Sequence, residues 1–123
     1  MIIGIDFDGT CVTHEYPHIG RHIGAVEILK KLVSKNHLLI LFTMRGGKQL
    51  EEAVDWFKSF DIPLYGINKN PTQHEWTDSP KAYAQLYIDD AALGCPLSYD
   101  PISKRPFVDW GEVEIILERA GIL

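Results

Sequence analysis

Short apolar runs alternate along this chain with longer stretches in which apolar residues recur every third or fourth position. Met1-Ile-Ile-Gly-Ile is apolar throughout and leads straight into Asp6, which predicts a strand buried on both faces. Ile23, Val26, Leu29, Leu32 and Val33 follow helical spacing, with Asn36 as the stop. Leu38 to Thr43 predicts a second buried strand, broken by Gly46-Gly47. Leu50, Ala53, Val54, Phe57 and Phe60 then mark a second amphipathic helix. Pro63 to Ile67 reads as a short third strand and Asn68 to Pro80 as a polar, irregular segment. Lys81 to Ala84 reads as one helical turn and Gln85 to Asp89 as a fourth strand. The stretch from Ala91 to Val108 carries three prolines and only weak strand signals. Asp109 followed three residues later by Glu112 is a capping-box signature for a last helix running to Ala120. Strands alternating with helices imply an α/β fold with parallel strands and helices on both faces of the sheet.

In such sheets ligands bind beyond the carboxyl ends of the strands. Three of the expected strands end in polar, reactive residues: Asp6 with Asp8, Thr43, and Asp89 with Asp90. Residues i and i+2 of a strand point to one side, so Asp6 and Asp8 can converge while Phe7 turns into the packing; Gly9 permits the turn that follows. Two carboxylates this close repel unless a cation or a shared proton relieves them. The oxygen-only donor set suggests a hard ion, magnesium, shared with Asp89. Asp6 could attack phosphorus, and Asp8 could carry a proton to and from the leaving oxygen. Thr43 offers a hydroxyl to a phosphoryl oxygen. Met44 and Arg45 follow it where the chain turns toward a helix start, so their N–H groups could donate as well. The Arg45 side chain either pairs with an anionic group or lies at the surface. Lys81 would balance charge on the nucleophile and the phosphoryl group.

These residues resemble the motifs of the haloacid dehalogenase superfamily of phosphohydrolases. Asp6-Phe-Asp8-Gly-Thr10 is similar to its first motif, Leu41-Phe-Thr43 to its second, Lys81 to its third and Tyr87-Ile-Asp89-Asp90 to its fourth. The resemblance implies a three-layer α/β/α sandwich with a mainly parallel, Rossmann-like sheet, formed by residues 1–123 as a single domain. It implies a magnesium-dependent phosphatase acting on a phosphate monoester through an aspartyl-phosphate on Asp6, with Asp8 as acid and then base. It further implies that magnesium is held by the Asp6 side chain, the Asp8 backbone carbonyl and Asp89, with Asp90 acting through a metal-bound water. Members that cleave carbon–halogen bonds lack the second acid, so Asp8 favours phosphoryl transfer. Larger members insert a cap domain between motifs. Here 35 positions separate Asp8 from Thr43 and 38 separate Thr43 from Lys81, which leaves no room for one. The layout resembles small capless bacterial members, whose open site could admit a bulky substrate or be covered by another copy of the same chain. Phosphoryl transfer to an acceptor other than water fits the same motifs. A receiver-like signalling module shares the residue types, but its acid pair precedes its lysine, whereas Asp89-Asp90 follows Lys81 here.

Other features narrow the picture. The 123 residues suffice for a core, and 46% hydrophobic content fits a soluble globular chain. No apolar run approaches the length of a membrane span, and no basic segment precedes the first strand, so neither a membrane anchor nor a signal peptide is expected. Two cysteines, Cys11 and Cys95, form no metal or disulfide pattern, and a reducing cytoplasm is the simplest home. A net charge of −5 argues against nucleic acid as a partner; the expected partner is a phosphorylated substrate of unassigned class. His14-Glu15-Tyr16-Pro17-His18 matches H-E-x-x-H, but that zinc chemistry needs a helix and Pro17 breaks it. The 10–20 loop lies beside Asp6, which makes His14, Glu15 and His18 specificity candidates; the simpler reading is a solvated loop. Trp76 in the 68–80 segment is either a stacking platform or a hydrophobic anchor. Trp56 and Trp110 are expected to pack, and Cys11 to be buried.

Overall fold

A computed structural model of the chain describes residues 1–123. Four strands, β1 (Ile2–Ile5), β2 (Leu38–Leu41), β3 (Gly66–Ile67) and β4 (Leu86–Ile88), form a wholly parallel sheet in the order β3-β2-β1-β4. Helices α1 (Ala25–Ser34), α2 (Gly47–Ser59) and α3 (Trp110–Arg119) complete the fold. The α/β reading of the sequence thus holds, with strands shorter than the apolar runs that announced them. Pairing nonetheless extends past the strand ends: Tyr65 and Asn68 donate to the carbonyls of Leu39 and Leu41, and Asp6 donates to that of Ile88.

The helix ends follow local chemistry. Lys35 closes α1, and Asn36 leaves it at φ 65°, a left-handed conformation that asparagine tolerates. The Asp109 carboxylate accepts the Glu112 N–H at 3.1 Å and caps α3, a contact worth about 1 kcal/mol. The weak 91–108 region holds β5 (Leu97–Ser98) and β6 (Phe107–Val108), a short antiparallel pair.

The two faces of the sheet differ. Ile3, Ile5, Leu39, Leu41 and Ile88 lie on one face and share a single core with Ile28, Leu29 and Leu32 of α1, Ala53, Trp56 and Phe57 of α2, and Val113 and Leu117 of α3. Gly4, Ile40 and Tyr87 point the other way. That face is covered by the segment leading into β4. The Tyr87 hydroxyl donates to the Ala82 carbonyl and accepts the Ala84 N–H, and its ring meets Phe42 edge-on. A Cβ on Gly4 would lie 2.9 Å from that ring, so glycine lets the tyrosine lie against the sheet. The β3-to-β4 connection, which a right-handed crossover sends over this face, contains only a 3-10 turn at Gln73–Glu75. The helical turn expected at Lys81 to Ala84 is absent. Buried Gln73 takes the Lys81 carbonyl and the Tyr83 N–H with its side-chain amide, while Tyr87 takes Ala82 and Ala84. These backbone groups therefore have no part in a helical ladder. No helix of the chain is long and apolar enough to cross a membrane.

Candidate functional site

The carboxyl ends of β1, β2 and β4 open into a cavity of about 540 Å³ lined by Asp6, Asp8, His14, Tyr16, Thr43, Met44, Arg45, Asp89, Asp90, Ala91 and Arg105. Adjacent parallel strands β1 and β4 deliver Asp6 and Asp89-Asp90 side by side. One oxygen from each of Asp6, Asp89 and Asp90 lies within 4.8 Å of the others. The Thr10 hydroxyl stands between two of them, 2.9 Å from Asp6 Oδ2 and 3.2 Å from Asp90 Oδ1, and it accepts the Asp90 N–H. Thr10 is itself wholly buried, and its carbonyl is held by the Trp110 indole N–H at 2.7 Å. His14 Nε2 meets Asp90 Oδ2 at 2.7 Å. Gly9 makes room for this pair: at φ 82° it adopts a conformation that side-chain-bearing residues avoid, and a Cβ there would lie 2.0 Å from His14 Nε2.

No lysine or arginine pairs with any of these three acids. Burial above all, then the hydrogen bond shared with Asp90 and the charge of Asp89, push the Asp6 carboxyl up to about 8; Thr10 offsets only part of this. Burial also opposes charge on Asp90, but its bonds to His14, Asp6 and Thr10 outweigh that and hold it below the usual carboxylate value. The cluster thus stores one proton too many or one cation too few. Its donors are oxygens, which fits a hard divalent ion.

Asp8, two residues from Asp6, sits in a different environment. Arg45 grips both its oxygens, with Nε and Nη2 each at 2.7 Å. The remaining guanidinium donors go to the carbonyls of Pro17, Gln49 and His18. All five N–H groups are used, and the Arg45 side chain is only 1% exposed. Arg45 is therefore neither a surface charge nor a free ligand for phosphate: its donors are committed to Asp8, to the 10–20 loop and to the first turn of α2. The Asp8 side chain is not one of the three clustered carboxylates, while its backbone carbonyl accepts no hydrogen bond from the chain.

Thr43 lines the cavity. Its N–H is taken by the Asn68 side chain and its hydroxyl by the Arg45 N–H. Met44 is fully exposed at the rim. Lys81 is not on the cavity wall; its ammonium stands over the Tyr87 ring at 5.6 Å, and it forms no ion pair. Residues 14–18 form turns, not a helix, so the H-E-x-x-H pattern builds no zinc site; Glu15 and His18 are exposed. Trp76, 64% exposed, packs edge-on to Tyr83 away from this wall. Cys11 is buried with its thiol on the Asp6 carbonyl. The sequence reading missed Thr10 as a bridge between acids, and it missed Tyr16 and Arg105 as lining residues. Thr10 was legible as a hydroxyl four residues after Asp6. Arg105 had no local signal.

Neither a protein-family model nor a curated protein matches the chain. A solved structure, described as that of a conserved protein from Bacteroides thetaiotaomicron, is similar with a TM-score of 0.76 and 40% identity, over 97% of this chain and 91% of that one. The two chains belong to one family. The likeness spans every element that builds the cavity, and it carries no activity with it.

Proposed function

We propose that the chain is a phosphohydrolase of the haloacid dehalogenase type, cleaving a phosphate monoester with a divalent cation, magnesium by preference. The observation that carries this reading is the half-buried Asp6, Asp89 and Asp90 cluster at the ends of β1 and β4, which no lysine or arginine pairs. Asp6 and Asp89 would hold the ion by their side chains, Asp8 by its carbonyl, and Asp90 from one step further out. When bound, the ion supplies positive charge to the carboxylates and to the phosphoryl oxygens. In this reading the 68–85 segment stands as the third layer of the sandwich, no cap domain closes the site, and the reaction runs in the cytoplasm.

The chain's own residues supply the chemistry. Asp6 attacks phosphorus, and the bond to the ester oxygen breaks as the Asp8 proton passes to that oxygen. Water then attacks the aspartyl-phosphate, returns a proton to Asp8 and frees Asp6 with release of phosphate. Both Asp8 oxygens accept from Arg45, so proton transfer requires one of those bonds to give way while the other keeps the carboxyl aimed. Thr43 and the Met44 N–H face the phosphoryl group from the β2 side.

The test is release of phosphate from an aryl phosphate with magnesium, compared with Asp6→Asn. Turnover in wild type, lost in the variant and lost on chelation, supports the reading. Equal rates in wild type and variant across a panel of phosphate esters overturn it. A single burst of one aryl alcohol per chain, with the phosphate kept on the protein, would point to a receiver-like module instead.

A further inference from the structure

The cavity wall is short of positive charge. Asp6, Asp8, Asp89 and Asp90 place four carboxylates on it. Arg45 neutralises one and has no donor left. A divalent ion would neutralise two more, and a phosphate monoester then arrives with about two further negative charges. Something on the wall has to meet that charge. Thr43 has only a neutral O–H left to give, since its N–H goes to Asn68 and its hydroxyl accepts from Arg45; His14 is already on Asp90, and Lys81 is not on the wall.

Arg105 is on the wall, exposed, and makes no hydrogen bond or ion pair within the chain. It belongs to the loop joining β5 to β6, and that loop is fixed from outside the cavity. The Arg21 guanidinium binds the Asp100 carboxylate at 3.1 Å and the Ser103 hydroxyl at 2.7 Å. Asp100 Oδ1 in turn accepts the N–H groups of Ile102 and Ser103. Arg21 first, and then the Ser103 N–H, hold the Asp100 carboxyl down to about 2, so the tether is charged at neutral pH. β6 is anchored as well: the Val108 N–H bonds to the Gly9 carbonyl within the acid-bearing turn. The result is a cation with free donors, carried over an acidic cavity by a loop tied to the rest of the fold at both ends.

We infer that Arg105 binds the phosphoryl oxygens of the substrate, and that the tethered 99–106 loop is the element that recognises the phosphate monoester. This rests on the phosphohydrolase reading above. A guanidinium suits the task because its planar fork can engage two phosphoryl oxygens together.

Arg105→Ala tests it, with circular dichroism to verify the fold. The expected result is a rise of about tenfold in KM for the aryl phosphate and in the inhibition constant of inorganic phosphate, with kcat within about threefold. Arg105→Lys recovers part of the loss. Arg21→Ala shifts KM the same way by less, and added salt narrows the gap between wild type and Arg105→Ala. Unchanged KM and phosphate inhibition in Arg105→Ala, with an active wild type, overturn the inference and leave the phosphohydrolase reading standing. If wild type releases no phosphate, that reading falls, and calorimetry with inorganic phosphate and magnesium decides on Arg105. Binding weakened by Arg105→Ala sustains the inference; equal binding, or none in wild type, overturns it.

Discussion

The two halves of the cavity solve the same problem in opposite ways. On the side built by β1 and β4, Asp6, Asp89 and Asp90 crowd together with a threonine and a histidine but no lysine or arginine. On the side that faces the turn after β2, Asp8 is matched by an arginine whose every donor is used. One half is electrostatically complete within the chain, and the other is completed only by a proton or an ion. Asp6 and Asp8 sit in one short motif, yet their neighbours assign them different work. An acid that lacks a counter-charge is available to a metal and to phosphorus. An acid held by an arginine fork is aimed but not free.

The largest expected effect lies on the incomplete side. Asp6→Asn should lower magnesium-dependent phosphate release by about 10⁴-fold or more, as loss of a nucleophile does, measured as initial rates at saturating substrate. The same change should raise the melting temperature of the metal-free protein near neutral pH, because it removes a carboxyl that must take up a proton to fold among its acidic neighbours. An Asp6→Asn protein that melts lower than wild type in chelator would break the comparison.

The complete side should respond in the reverse sense. Removing the Asp8 carboxylate by Asp8→Ala leaves the Arg45 guanidinium buried and unpaired, which costs about 3–5 kcal/mol, read from urea unfolding. Arg45→Met should be comparably costly, since it also orphans the carbonyls of Pro17, Gln49 and His18. The double variant should lose less than the two single losses combined, because the pair fails as a unit. Additive losses would mean that the two side chains act independently.

What could be read from the sequence was what local chemistry decides. The apolar run before Asp6, the helical spacing from Ile23 to Val33 and the Asp109 cap each depend on residues within a few positions, and each predicts its element. The helical turn at Lys81 to Ala84 failed because Gln73 and Tyr87, outside that stretch, take its backbone groups. Local pattern carries no trace of such competition. The site divides in the same way. Asp6, Asp8, Asp89 and Thr43 stand at strand ends that the alternation of runs already places at one edge of the sheet. The partners that give them character come from far along the chain. His14 meets Asp90 across 76 positions and Arg45 meets Asp8 across 37. Arg105 arrives from a region with hardly any periodic signal.

The smallest effects should come from pH and from Thr10, and they sharpen the comparison most. Asp6 is raised to about 8 from an ordinary value near 4, so the folded metal-free protein holds a proton that the unfolded chain releases. That contribution is fully present below pH 4 and is lost as the pH rises to about 8. In chelator, the melting temperature of wild type should therefore fall across this window relative to Asp6→Asn, and magnesium should flatten the difference by replacing the proton. A gap between the two proteins that widens toward alkaline pH in the presence of magnesium would contradict the assignment. Thr10→Val, nearly the same in shape, removes the hydroxyl that bonds to Asp6 and accepts the Asp90 N–H. It should cost about 1–2 kcal/mol and push the Asp6 titration still higher, since Thr10 is the group that lowers it. An Asp6 titration that shifts upward in Thr10→Val, followed by the carboxyl carbon resonance in chelator, would place the threonine as the one internal brake on a cluster otherwise left for a cation to balance. A titration that stays put would contradict that role for the threonine.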